Sequence, residues 1–206
     1  MKRTLSLFLA TVSLVVGQAF QPVFWTFLRA APAAASTRPH YGGTLRVELS
    51  ARVASLDPAE RPADGPEAAA KQRLLNLAFD PLVRLDENGQ PHPALAVSWK
   101  SDATFQRWEF RLRPNMKFHD GTLLALSDVV TVLTKVDETW RVSATGDSVV
   151  IQCNEARPNL LFELSMDFIF RRTADRAILG TGPFRIANWQ PGARAVFSAN
   201  EDFELL

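Results

Sequence analysis

The sequence is poor in the residues that most site chemistries need. Among its 206 residues there is one cysteine, there are three histidines, and the formal net charge is +1. A lone cysteine, Cys153, closes no internal disulfide, and its place in the apolar run SVVIQC gives it the role of a small buried side chain. His40, His92 and His119 are scattered, without an i, i+4 pair or a cysteine cluster, so zinc-type spacing is absent and no metal is expected. A nearly neutral chain without runs of like charge has no field to hold nucleic acid or an anionic membrane surface. No G-x-S-x-G elbow is present, which removes the usual setting for a serine nucleophile. Gly180-Thr181-Gly182 lacks the further glycine and lysine of a phosphate loop, so nucleotide binding is disfavoured and no cofactor is expected.

What is present is an ordinary globular composition, 47% hydrophobic and 22% charged, enough for one domain or two small ones. Lys2 and Arg3 precede the apolar run Leu5 to Gly17, and an alanine-rich stretch with an Ala-x-Ala site ends at Ala35. That order describes a secretory leader, here expected over 1–35 with cleavage after Ala35. An uncleaved membrane anchor is the alternative. It is disfavoured because Gln18, Gln21 and Pro22 interrupt the apolar stretch, whereas a spanning helix needs roughly 20 apolar residues in succession.

The densest stretch runs from Trp99 to Val130. Trp108, Phe110 and Leu112 alternate with Glu109, Arg111 and Arg113, the period of a half-buried strand, and Pro114-Asn115 ends it. Asp120-Gly121 supplies a turn, and a helix is expected from Ser127 to about Val136. Before this stretch, Thr37 to Tyr41 read as a linker, TLRVELS as a strand, RVASLDP as a turn and 61–66 as a loop. Pro66 then opens a helix through Phe79, which Asp80-Pro81 stops. Pro81 to Asp86 is expected as a strand, and Pro93 to Val97 as a short helical or bridging piece. After it come strands at Thr139–Thr145 and Ser148–Cys153 joined through Gly146-Asp147, and a small helix over Pro158–Met166. A strand at Asp167–Arg172, a rigid turn at Gly180–Pro183, and strands at Phe184–Trp189 and Arg194–Ala199 complete the reading.

Two constellations invite a catalytic reading. His119-Asp120 places a carboxylate beside an imidazole, as in an oriented general base; the plainer alternative is a polar turn with Asp120 bonding backbone amides. Ser55 and Asp57 with a distant histidine would need a nucleophile elbow that is absent. The tryptophans at 25, 99, 108, 140 and 189 lack basic interleaving and read as core or cleft lining rather than a stacking platform.

Five motifs occur in order: GGTLRVEL, SLDP, AFDPLVRLDENGQPHPALAVSW, FQRWEFRLRPNMKFHDGT with Asp128-Val129, and GTGPFRIANWQPG with NEDF. In these the chain resembles the extracytoplasmic solute-binding proteins of ABC transporters, the oligopeptide, dipeptide and nickel group known as family 5, from about Gly42 to Phe203. The resemblance implies an α/β fold of the type II periplasmic-binding-protein kind. A first segment of the ligand-binding lobe would occupy 36–62, an inserted smaller α/β subdomain with mixed sheets 63–175, and the return strands of the lobe 176–206. It also implies a non-enzymatic protein outside the cytoplasmic membrane, periplasmic or secreted, that binds an oligopeptide or similar small solute and delivers it to ABC permease subunits. Contact with the membrane would come only through the permease or an uncleaved leader. Family members are usually more than twice as long, so the chain resembles their N-terminal part without the second lobe; a remnant or a non-transport interaction or sensor module is the alternative. Carried over from peptide-binding members, the backbone of Val53, Ala54 and Ser55 is expected to line the cleft and pair with an extended ligand. One departure is Ala125, which stands where the family has a threonine cap, so the capping box is expected to be lost at a cost of about 1 kcal/mol, with Ser127 capping instead.

Overall fold

The computed structural model describes residues 44–46, 49, 51–60 and 65–203. The expected leader over 1–35, the linker at Thr37–Tyr41, His40, Trp25, residues 61–64 of the loop and the last three residues lie outside them. In chain order the elements are β1 (Thr44–Arg46), α1 (Pro66–Ala78), β2 (Asp80–Pro81), β3 (Val83–Leu85), β4 (Pro91–Pro93), β5 (Ala96–Ser101), β6 (Arg107–Leu112), α2 (Leu126–Val136), β7 (Arg141–Thr145), β8 (Ser148–Gln152), α3 (Leu160–Ser165), β9 (Phe168–Ile169), β10 (Arg171–Arg172), β11 (Ile178–Leu179), β12 (Phe184–Gln190) and β13 (Arg194–Ala199). The fold is mixed α/β, with several small antiparallel sheets.

The largest sheet, ordered β5-β6-β8-β7, is built on the alternation seen in the sequence. Trp108, Phe110 and Leu112 of β6 point into the core while Arg107 and Arg111 are exposed. β8 is buried over Ser148–Ile151, as a strand with neighbours on both sides should be. The hairpin between β7 and β8 turns at Gly146 with φ 61°, a conformation that favours glycine. Val129, Val132 and Leu133 of α2 pack with Phe110, Val149, Ile151, Leu95 and Trp140 in this first core. Burying a phenylalanine such as Phe110 completely stabilises by about 2–3 kcal/mol.

The second core belongs to the three-stranded sheet β1-β13-β12. Val53, Leu56, Leu74, Leu75, Phe79, Phe168 and Phe197 gather there. Helix α1, which falls within the 63–175 stretch assigned to the subdomain, packs in this second core through Ala70, Leu74, Leu75 and Ala78. Ile169 belongs to the first cluster, Phe168 to the second and Phe170 to the margin of both, which places this segment at their seam.

Several elements differ from expectation for definite reasons. Pro93–Val97 contains no helix: Pro91 and Pro93 pair as β4 with Leu85 and Val83, and β5 begins at Ala96. The expected strand Pro81–Asp86 is divided at Leu82, because β2 pairs with β9 while β3 pairs with β4. The strand at Asp167–Arg172 is likewise split at Phe170 into β9 and β10, which take different partners. Helix α3 starts at Leu160, after Pro158 rather than on it. At α2, Ser127 is an interior residue and not the cap. Ala125 holds the N-cap position, and half of a capping box survives, since the Asp128 carboxylate accepts the Ala125 N–H at 2.8 Å.

Candidate functional site

The expected ligand segment runs along the second core. Val53 is buried and its carbonyl accepts the Gly192 N–H at 2.8 Å, while the Ala54 N–H donates to Glu67 Oε1 at 3.0 Å. These two backbone groups are therefore already used inside the protein. Ser55 is half-buried, and its Oγ accepts the Asp57 N–H at 3.1 Å. The Asp57 carboxylate then accepts the Ala59 N–H at 3.0 Å, the local turn read from SLDP. Lys71 of α1 pins that turn from beneath: it is 3% exposed and its Nζ donates to the Glu60 carbonyl at 2.5 Å. Burial lowers the Lys71 pKa, opposed by the nearby Glu60, Asp57 and Glu67 charges.

His119 and Asp120 do not form a hydrogen-bonded pair. Asp120 accepts the Thr122 N–H and hydroxyl at 3.0 and 2.6 Å, which is the polar-turn alternative, and these bonds hold its carboxyl below the ordinary range against a smaller effect of burial. The imidazole instead staples the glycine loop. Gly180 N–H donates to His119 Nδ1 at 3.4 Å, so the ring proton sits on Nε2, which donates to the Gly182 carbonyl at 3.2 Å. His119 N–H also reaches the Gly180 carbonyl at 2.9 Å. Burial drives the His119 pKa down to about 4, with the Gly182 carbonyl opposing and Arg185 assisting. Both ring nitrogens are occupied, which leaves neither for general-base work.

The same loop presses on the end of α1. A Cβ at Gly180 would stand 2.0 Å from the Ala78 carbonyl oxygen, and one at Gly182 would stand 2.6 Å from the Ala78 carbonyl carbon. Between them, Thr181 Oγ1 donates to Asp80 Oδ2 at 2.8 Å, and Asp80 is fully buried with Arg84 as its ion-pair partner. Burial raises the Asp80 pKa, opposed by Arg84 and Thr181. Asp80-Pro81 is thus more than a helix stop. The glycines are needed for close approach, and the buried carboxylate and threonine lock the loop in register.

A cleft of about 730 Å³ opens where α2 faces the Pro58-Ala59 turn and the 167–172 segment. Arg171 organises one wall. Its guanidinium grips both oxygens of Asp128 at 3.2 and 2.8 Å, donates to Thr122 Oγ1 at 2.8 Å and to the Leu123 carbonyl at 3.2 Å, and lies 4.2 Å over the Phe118 ring. Arg172 faces the other way and donates to both oxygens of Asp57 at 2.7 and 2.5 Å. Although burial opposes it, this contact and the Ala59 amide hold the Asp57 carboxyl below its ordinary range. The cleft was not among the expectations. Its signal was the run Phe168-Ile169-Phe170-Arg171-Arg172, in which two adjacent arginines follow directly on an apolar strand. Among the described residues no group of three or more histidine, cysteine, aspartate or glutamate side chains could hold a metal ion.

The sequence matches the family pattern described as bacterial extracellular solute-binding proteins, family 5 Middle, over residues 90–204. Among solved structures, MoaA of A. tumefaciens R10, in complex with mannopinic acid, is 26% identical with a TM-score of 0.62; the match covers 75% of this chain and 36% of that one. Burkholderia pseudomallei OppA has a TM-score of 0.64 at 19% identity, covering 74% of this chain and 37% of OppA, a likeness of fold. Among curated proteins, the HTH-type transcriptional regulator SgrR of Yersinia enterocolitica is 34% identical over 68 residues, which is 32% of this chain and 12% of the regulator. The chain thus spans little more than a third of the solved structures and about an eighth of the regulator.

Proposed function

Because the chain belongs to the bacterial extracellular solute-binding proteins of family 5, we propose that it serves as the solute-binding component of an ABC importer. In this reading it takes up an oligopeptide or another small solute outside the cytoplasmic membrane and presents it to permease subunits. The observation that carries the proposal is the family match over 90–204 on a fold that leaves the first strand, passes through the β5-β6-β8-β7 sheet and returns to place β13 between β1 and β12. That topology suits a lobe with a smaller subdomain inserted between its outgoing and returning strands. The family's description as extracellular and the leader pattern over 1–35 support the location. Among the described residues no helix is long and apolar enough to cross a membrane.

Ligand contact is proposed at Val53, Ala54 and Ser55. Since the Val53 carbonyl and the Ala54 N–H are internally bonded, a ligand strand would pair with the remaining backbone groups and the Ser55 hydroxyl. No catalytic step is assigned, because the imidazole that motivated one is buried and bonded through both nitrogens. Isothermal calorimetry with a defined mixture of tri- to pentapeptides tests the reading. Heat of binding, with amide shifts at 53–55, is expected; a flat titration on folded protein would remove receptor function from this chain.

The similarity to SgrR favours one second reading, a ligand-sensing module of the same fold without transport. A cross-link to the permease that strengthens with ligand supports import, whereas ligand binding without any such cross-link supports the sensor.

A further inference from the structure

We propose that the cleft between α2, the Pro58-Ala59 turn and the 167–172 segment is a binding site for a small organic carboxylate with an apolar body. The volume, about 730 Å³, falls among those of pockets that enclose small ligands. Its apolar wall is formed by Val132, Val136, Phe168 and Phe170, with Val132 and Phe168 almost fully buried and therefore rigid. The acidic groups around that wall are engaged within the protein. Asp128 has both oxygens held by Arg171, and Asp57 at the rim has both held by Arg172. Asp167 is buried and already takes part in an interaction within the protein.

The cations are differently placed. Arg171 spends its donors on Asp128, Thr122 and Leu123. Arg172 uses only Nη2 toward Asp57, so Nε and Nη1 remain without a hydrogen-bond partner among the described residues, and its guanidinium lies 5.3 Å over the Phe170 ring. Lys135, in the last turn of α2, lines the same cleft with no ion pair or hydrogen bond among the described residues. Lys135 and the free donors of Arg172 therefore line the cleft beside its aromatic and aliphatic wall, while the carboxylates of Asp128 and Asp57 are each held by an arginine. Such a site selects an anion over a cation, and a carboxylate offers the two acceptor oxygens that an ammonium and a guanidinium fork can share. The site is separate from Val53–Ser55 and does not depend on the peptide-receptor reading.

The test uses the full 206-residue chain and three matched probes: N-acetyl-leucine, its neutral amide and cationic leucinamide. Affinities and contact sites are read by titration with amide and side-chain NMR. N-acetyl-leucine is expected to bind at least about tenfold more tightly than either of the others, the discrimination of one charge-assisted hydrogen bond, with shifts at Thr131, Lys135, Phe170 and Arg172. Lys135→Gln should abolish most of that preference and Lys135→Arg should keep it; a thermal melt of each variant confirms folding, since Lys135 is exposed. Equal affinity for acid and amide, a preference untouched by Lys135→Gln, or absence of binding to folded protein would each overturn the proposal. Shifts confined to 53–55 would likewise overturn it while leaving the receptor reading intact.

Discussion

At His119 the neutral imidazole is the form the fold requires. Protonating Nδ1 removes the acceptor for the Gly180 N–H and places a charge in a site that is 8% exposed. The unfolded chain takes up this proton near the ordinary histidine value of 6.5, whereas the folded one resists it until about 4. The stabilisation is therefore complete above about 6.5 and is lost as the pH falls from there to about 4, amounting to on the order of 2–3 kcal/mol. Urea midpoints measured from pH 7.5 to 4 should drop more steeply for the natural chain than for His119→Gln. Parallel curves would refute the staple. The sequence alone could not reach this role. The partners of His119 lie 61 and 63 positions away, while its neighbour Asp120, which looks like a catalytic partner, bonds two residues ahead. Arg171 was hidden in the same way, with Asp128 and Thr122 standing 43 and 49 positions before it.

Elements were legible where one local signal dominated. β6 is read from its alternation and the β7–β8 hairpin from Gly146, because both signals act within a few residues. β3, β4, β9 and β10 are two or three residues long and exist only by virtue of their pairing partners, so no local pattern marks their limits. At α2 the cap offers a direct experiment. Ala125 has extended geometry, φ −94° and ψ 153°, and its missing hydroxyl leaves the Asp128 N–H with the Ala125 carbonyl at 3.0 Å. Ala125→Thr should complete the box and stabilise by about 0.5–1 kcal/mol in urea unfolding, and an unchanged midpoint would count against it. The glycine loop predicts the opposite sign. Gly180→Ala forces a methyl group into the Ala78 carbonyl and should cost about 3 kcal/mol or prevent folding, while alanine at Gly89, where nothing stands within 4 Å of the added carbon, should show only the milder strain of φ 75°.

Over the whole molecule, the mixed α/β class and the family resemblance were readable because ordered motifs fall on the outgoing strand, the subdomain sheet and the returning hairpin. The division of packing between the two cores was not, because α1 follows a loop and carries no mark of which sheet its apolar face will meet. The cleft was hidden for the same reason, since its walls come from three separated segments. One pairing has a kinetic consequence. Thr44 finds its partner in Ser198, and Arg46 in Val196, so the first strand has no neighbour in its sheet until β13 has been synthesised. The four strands of β5-β6-β8-β7 come from nearby sequence and can assemble early, whereas the sheet that begins the described chain must await its last strand and bear the entropy of a long loop closure. A chain emerging from a ribosome or a translocation channel would thus hold a folded middle and a waiting β1, and its slowest step would be the docking of β1 onto the β12–β13 hairpin.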